Sequence, residues 1–115
     1  MTDATIQRFN ELARRHAAID YGDPGSVRHG NAAVDEMRAI ARELATSGDA
    51  ALSRFVDQLE PVARPWAAFG LLDAETTFPA LEAKCLAIVE TCASGTDALA
   101  LGAKSWLREW RSKRS

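Results

Sequence analysis

The apolar residues of this sequence recur every three or four positions along almost its whole length. That spacing is the period of an α-helix, and no stretch of useful length alternates with the period of two that a half-buried strand requires. Turn-forming segments rich in Gly, Pro, Ser and Asp divide the helical pattern into parts. The sequence therefore predicts an all-α chain of about six helices, forming a single domain over residues 1–115.

Capping residues and prolines give the expected limits of these helices. Helix one is expected to run from about Asp3 to Ile19, with Thr2 or Asp3 as its N-cap. Helix two is expected to start after Asp23 at Pro24 and to end near Ser47, with Gly48 in the left-handed conformation. The other four helices are expected at about Asp49–Leu59, from Pro65 to near Asp73, from Thr77–Pro79 to Ser94–Gly95, and after a cap at Thr96 or Asp97.

Short connections between the later helices predict their arrangement. Loops of roughly two to six residues place consecutive helices side by side and antiparallel. Six such helices make three stacked hairpins, although a globular six-helix bundle fits the same count almost as well.

One segment in the middle of the chain has a more specific pattern. Pro61–Leu72, which contains Trp66 and the paired alanines Ala67 and Ala68, resembles the inner helix of a HEAT repeat. In that helix the alanines allow close contact, and the bulky residues fill the gap to the next repeat.

The order of several motifs extends this resemblance over nearly the whole chain. Arg8–Phe9 in the first helix, Asn31 near the start of a long second helix, and the closing stretch Leu107–Trp110 are similar to those of a small bacterial HEAT-like helical family. That family is catalogued as a domain of unknown function, and its members more often carry an ordinary residue where this chain has Pro65. The resemblance implies a HEAT-like α–α superhelix, a short solenoid, that binds proteins.

Charge, hydropathy and cysteine content narrow the function classes. A net charge of −2 argues against a nucleic-acid partner, and basic residues at the end of the last helix complement the helix dipole; these are Arg108, Arg111, Lys113 and Arg114. No signal peptide and no run of about 20 apolar residues is found, so no membrane partner is expected. Cys85 and Cys92, seven residues apart on one helix, are too far apart to pair and fit a reducing cytoplasm.

The polar residues show no spacing typical of a catalytic site, a metal site or a cofactor-binding site. The two histidines fall in different helices without the close Cys and His pairs of a zinc site. His16, Asp20 and Asn31 are interpreted as a polar structural cluster, in which Asn31 bonds back to the loop at residues 20–25. The alternative is a small-ligand or enzymatic pocket formed by the same three residues.

The three tryptophans suggest protein binding, because tryptophan is enriched in interface hot spots. Trp66 and Trp106 are expected in the core, and Trp110, on the last helix, is expected to be partly exposed. The candidate protein-binding residues are Trp110, Arg108, Trp66, Arg64 and Glu75. The predicted function is a non-enzymatic protein-binding module, in its sharpest form an immunity or antidote protein that neutralises a bacterial toxin. A self-associating structural protein, with the open last hairpin as a homodimer surface, is the further alternative.

Overall fold

Six α-helices account for most of the chain. The computed structural model describes residues 3–75 and 78–114, and within them it contains no strand. The helices are α1 (Asp3–Ala17), α2 (Pro24–Leu44), α3 (Asp49–Gln58), α4 (Arg64–Asp73), α5 (Pro79–Ala93) and α6 (Ala98–Arg114). The predicted all-α fold of about six helices is confirmed.

The starts of the helices follow the capping chemistry expected from the sequence. The Asp23 carboxylate accepts a hydrogen bond from the Gly25 amide at 3.0 Å, directly before Pro24 at the start of α2. Asp97 caps α6 in the same way, accepting from the Ala100 amide at 2.8 Å. Helix α4 begins at Arg64, so the unusual Pro65 occupies its first turn, where a missing amide proton costs little.

Two residues expected at helix starts, Thr2 as a possible N-cap and Thr77 at the beginning of the fifth helix, fall outside the described residues. The residue preceding α5 is Phe78.

The expected end of the second helix is wrong. Helix α2 stops at Leu44, and Ala45 caps it with its amide bonded to the Ala41 carbonyl. Gly48 has a φ of −70° and precedes α3, so it does not adopt the left-handed conformation. Among the described residues that conformation occurs instead at Glu75, with a φ of 56°, just after α4. Helix α1 also ends earlier than expected, at Ala17.

The helices form a flattened body of 41 × 35 × 19 Å. Its short dimension suits two layers of helices, whose axes pack about 8–10 Å apart. Helix α1 packs on α2, α2 on α4, α4 on α5 and α5 on α6, whereas the short α3 contacts α4 and α5 less extensively. These neighbours are compatible with a helical bundle or a short solenoid.

A continuous apolar core joins the layers. Phe9 of α1 meets Phe55 of α3 edge to face, with ring centroids 5.3 Å apart. Burying a large apolar side chain of this kind stabilises the fold by about 1.5–3 kcal/mol. The largest fully buried side chains are Phe9, Phe55, Leu12, Met37, Leu52, Leu59, Leu71, Leu81, Val56, Val89 and Cys85.

Polar contacts fix α1 against its neighbours. The Arg8 guanidinium binds both carboxylate oxygens of Glu36 on α2, at 2.6 and 2.8 Å. Arg14 binds Glu60 in the same bidentate manner, and the buried Asn10 accepts a hydrogen bond from the Glu60 amide at 2.9 Å. These contacts join residues far apart in sequence and set the position of α1 over the connection between α3 and α4.

Candidate functional site

Five rings follow one another across α1, α4 and α6. We call them the aromatic row: His16, Trp66, Phe69, Trp106 and Trp110. Successive ring centroids are 4.6, 5.7, 5.3 and 6.1 Å apart. The first three contacts are edge-to-face or tilted, and the last two indoles are nearly parallel at 17°. Such geometries favour aromatic contact beyond the area that is buried.

Each ring of the aromatic row is half-buried. The expectation that Trp66 and Trp106 belong to the core is therefore wrong, while the partial exposure expected for Trp110 is found. The reason is that smaller residues take the fully buried positions of both helices. These residues are Ala67, Ala68 and Leu71 on α4, and Ala100, Ala103 and Leu107 on α6. The bulky indoles lie at the border of the core.

Three small cavities beside the aromatic row share one residue, Asp73 at the end of α4. The largest, about 180 Å³, lies between α2, α4 and α6 and is lined by Trp66, Phe69 and Trp106 among others. The second, about 90 Å³, is bordered by Arg38 and Arg42. The third, about 150 Å³, is lined by Leu72, Asp73, Glu75, Trp110 and Lys113. Together with the aromatic row, these cavities form what we call the aromatic groove.

The side of the groove formed by α2 and α4 depends on a close helix contact. A Cβ atom built on Gly70 would lie 2.5 Å from the Cβ of Ala41. Two Cβ atoms of different helices do not approach so closely in proteins, so only glycine allows α4 to pack on α2 at this distance. The same glycine lines two of the three cavities.

Asp73 carries the central charge of the groove. Asp73 is exposed as a residue, but loss of water around its carboxyl group raises the pKa of that group. This effect outweighs three that lower the pKa: a hydrogen bond from the Trp106 side chain and the positive charges of Arg38 and Lys113. Within the described part of the chain, no Lys or Arg nitrogen forms a salt bridge with Asp73 within 4.0 Å. The groove therefore contains a carboxylate held beside an indole ring and not closely paired with a cation there.

Of the candidate protein-binding residues, the structure brings three together. Trp66, Trp110 and Glu75 all line the aromatic groove. Arg64 lies elsewhere, in a larger groove of about 600 Å³ between α3, α4 and α5. Arg108 borders a different surface of α5 and α6.

The charged groups of the larger groove already have partners. The Arg64 Nε donates to the Leu59 carbonyl at 3.1 Å. Lys84 contacts a carboxylate oxygen of Asp57 at 2.6 Å and the hydroxyl of Ser53 at 2.9 Å. Because its charges are satisfied within the fold, this groove offers less to a ligand than its size suggests.

The three residues of the predicted polar cluster share no hydrogen bond with one another among the described residues. His16 packs against Trp66, and burial lowers the pKa of its imidazole. Asp20 is exposed and its carboxylate accepts from the Gly22 amide at 2.9 Å. Asn31 is exposed. The loop before α2 is instead joined to that helix by Ser26, whose hydroxyl oxygen accepts a hydrogen bond from the Asp20 amide at 2.9 Å. None of these three residues lines any of the cavities described above.

Both cysteines are free thiols. Burial raises the pKa of Cys85 to about 11, and burial together with the charge of Asp97 raises that of Cys92. Neither thiol is therefore activated as a nucleophile. In the described ranges, no group of three or more His, Cys, Asp or Glu residues is placed to hold a metal ion. No helix in residues 3–75 or 78–114 is both long and apolar enough to cross a membrane.

Sequence reasoning did not place Phe69 and Asp73 in a site, although a signal was present. Trp66, Phe69 and Asp73 follow one another at spacings of three and four, which puts them on one face of a helix. Trp106 and Trp110 are four apart in the same way. The spacing identifies two separate stripes, and only the packing of α4 near α6 shows that they meet.

Comparison with protein-family models, with curated proteins and with solved structures finds no match to this chain.

Proposed function

We propose that this chain is a non-enzymatic protein-binding module that recognises its partner through the aromatic groove. The observation that carries the proposal is the half-buried aromatic row, which places all three tryptophans of the chain on one surface. Half-buried tryptophans supply large apolar area at low entropic cost, which is why they dominate interface hot spots.

The charge pattern around the groove supports the same proposal. Apolar rings occupy the centre, while Arg38, Arg42, Lys113 and Glu75 lie at its borders. An apolar centre with a charged rim is the usual composition of a protein interface.

The sharper form of the proposal is an immunity or antidote protein of the bacterial cytoplasm, with the HEAT-like family as its relatives. It is motivated by the slightly acidic net charge, which would speed association with a basic toxin. Two free thiols with raised pKa values suit a reducing compartment.

Co-expression with toxins encoded beside this gene tests the proposal. We expect the native chain to restore growth, and Trp110→Ala and Phe69→Ala to lose that protection because each removes a ring from the groove. Leu101→Ala is the matched control, since Leu101 is on α6, is 64% exposed and does not line the groove. Protection that survives both groove variants, in chains shown by circular dichroism to be folded, would exclude the groove as the recognition surface.

A further inference from the structure

The third cavity of the aromatic groove combines an indole with two carboxylates. Trp110 forms one wall, Asp73 and Glu75 supply the negative charges, and Lys113 lies at the border. The volume of about 150 Å³ is enough for the end of one long side chain and not for a larger ligand. The composition of this cavity indicates what kind of group it would bind.

The orientation of these groups is fixed by the neighbouring indole. Trp106 stacks on Trp110 at an interplanar angle of 17°, and its side chain favours the charged form of Asp73, because it lowers the pKa of that carboxyl group. One indole therefore lies against both the ring and the carboxylate that a ligand would meet. A site whose parts are held in place before binding loses less entropy on association.

We infer that this cavity receives the guanidinium group of an arginine on the protein partner, stacked on Trp110 and bonded to Asp73 and Glu75. The inference rests on the proposed function and adds the chemistry of the contact. A guanidinium is planar, so it can stack on an indole and bind a carboxylate through two parallel hydrogen bonds at once. An ammonium group can do only part of this, because it is a compact point charge.

The lining of this cavity is locally acidic. Asp73 and Glu75 contribute two negative charges against one positive charge from Lys113, while Arg38 and Arg42 border the adjoining cavity that shares Asp73. Arg38 and Lys113 both act on Asp73 through their charge, and neither forms a salt bridge with it within 4.0 Å. Lys113 is exposed on the last turns of α6, so it is free to move away from an incoming guanidinium.

Titration with small probes tests the inference on the full chain. The probes are the acetylated methylamides of arginine, of lysine, of norleucine as an apolar isostere, and of glutamate. Binding is followed by the indole N–H resonances of Trp106 and Trp110. We expect saturable binding of the arginine probe in the millimolar range, with lysine about threefold or more weaker and with norleucine and glutamate at least about tenfold weaker.

Two variants separate the charge from the shape of the cavity. Asp73→Asn keeps the size of the side chain and one acceptor oxygen but removes the charge, so the arginine probe should bind about tenfold more weakly. Lys113→Gln removes the competing cation and should tighten binding about twofold to fivefold. Leu101→Ala should leave the affinity unchanged.

The outcomes distinguish this inference from the proposed function. Equal binding of norleucine and arginine would overturn the arginine site and leave an apolar protein-binding groove. Lysine binding as tightly as arginine would overturn the guanidinium geometry. No response to any probe at concentrations in the tens of millimolar would overturn the arginine site, and the co-expression test decides separately on the groove as a protein-binding surface.

Discussion

At the scale of single residues, polar groups in this chain act mainly by fixing helices in place. Asn10 is 8% exposed and accepts the Glu60 amide, while Arg14 binds the Glu60 carboxylate. Arg14 lowers the pKa of Glu60, and Arg8 lowers that of Glu36, in each case chiefly through the hydrogen bond. The polar residues of α1 in these contacts therefore have a structural role, which is to hold α1 against its neighbours.

His16 makes the stability of the fold sensitive to mild acid. Burial lowers the pKa of its imidazole below 6.5, so the unfolded chain binds the proton more readily than the folded chain. The stability that depends on neutral His16 is complete above about pH 6.5 and is lost as the pH falls towards the lower, folded-state pKa. We expect urea unfolding of the native chain to show a smaller free energy at about pH 5.5 than at about pH 7.5.

The matched variants for this prediction are His16→Gln and His29→Gln. His29 is exposed on α2, so its replacement should leave the pH dependence intact, whereas His16→Gln should flatten it. Glu36 and Glu60 have lowered pKa values, so their contribution to the free energy of unfolding is lost only at a pH more acidic than this range. An equal slope for native chain and His16→Gln between these pH values would contradict the account.

At the scale of the helices, the sequence predicts starts better than ends. Asp23 and Asp97 are recognisable as caps in the sequence because aspartate is a preferred N-cap residue. In the structure their carboxylates accept hydrogen bonds from amides two and three residues later, respectively. Helix α2 ends with the C-cap Ala45, a residue type that gives no stop signal in the sequence. The residue with left-handed backbone after α4 is Glu75, whereas glycine or asparagine is the usual choice at such a position.

The candidate site was less accessible to sequence reasoning than the fold. Periodicity assigns Trp66 and Trp106 to the inner face of their helices, but it does not distinguish a buried position from one at the border of the core. Ala67 and Ala103 take the buried positions, and the tryptophans are left half-exposed. That outcome depends on how closely α2, α4 and α6 approach one another, which is a property of packing.

The close contact between α2 and α4 yields a prediction at the same scale. Gly70→Ala gains helix propensity of about 1 kcal/mol but forces the Cβ atoms of residues 70 and 41 apart, since they would be 2.5 Å from each other. Overpacking of this kind costs about 1–3 kcal/mol, so a net loss of about 1 kcal/mol in the free energy of unfolding is expected. Chemical denaturation provides the measurement.

Gly102→Ala is the control for this substitution. Gly102 lies within α6, and a Cβ atom there meets nothing within 4 Å, so the same change should stabilise the chain by up to about 1 kcal/mol. If Gly70→Ala proved as stabilising as Gly102→Ala, the tight packing of α4 on α2 would be refuted.

At the scale of the whole molecule, a flattened stack of six helices carries its aromatic groove at the border of the core. The fully buried residues are mostly small or aliphatic, and the large rings of α4 and α6 are placed where a partner can reach them. Because all three tryptophans belong to the aromatic row, any tryptophan signal of this protein reports on the groove.

The most direct test of the groove as the binding surface therefore uses these tryptophans as probes. The chain is labelled with 5-fluorotryptophan, its three fluorine resonances are assigned with single Trp→Phe variants, and the partner protein identified by co-expression is added. We predict that the resonances of Trp66, Trp106 and Trp110 all shift or broaden on complex formation. A stable complex in which all three resonances stay where they are in the free chain would contradict the central claim.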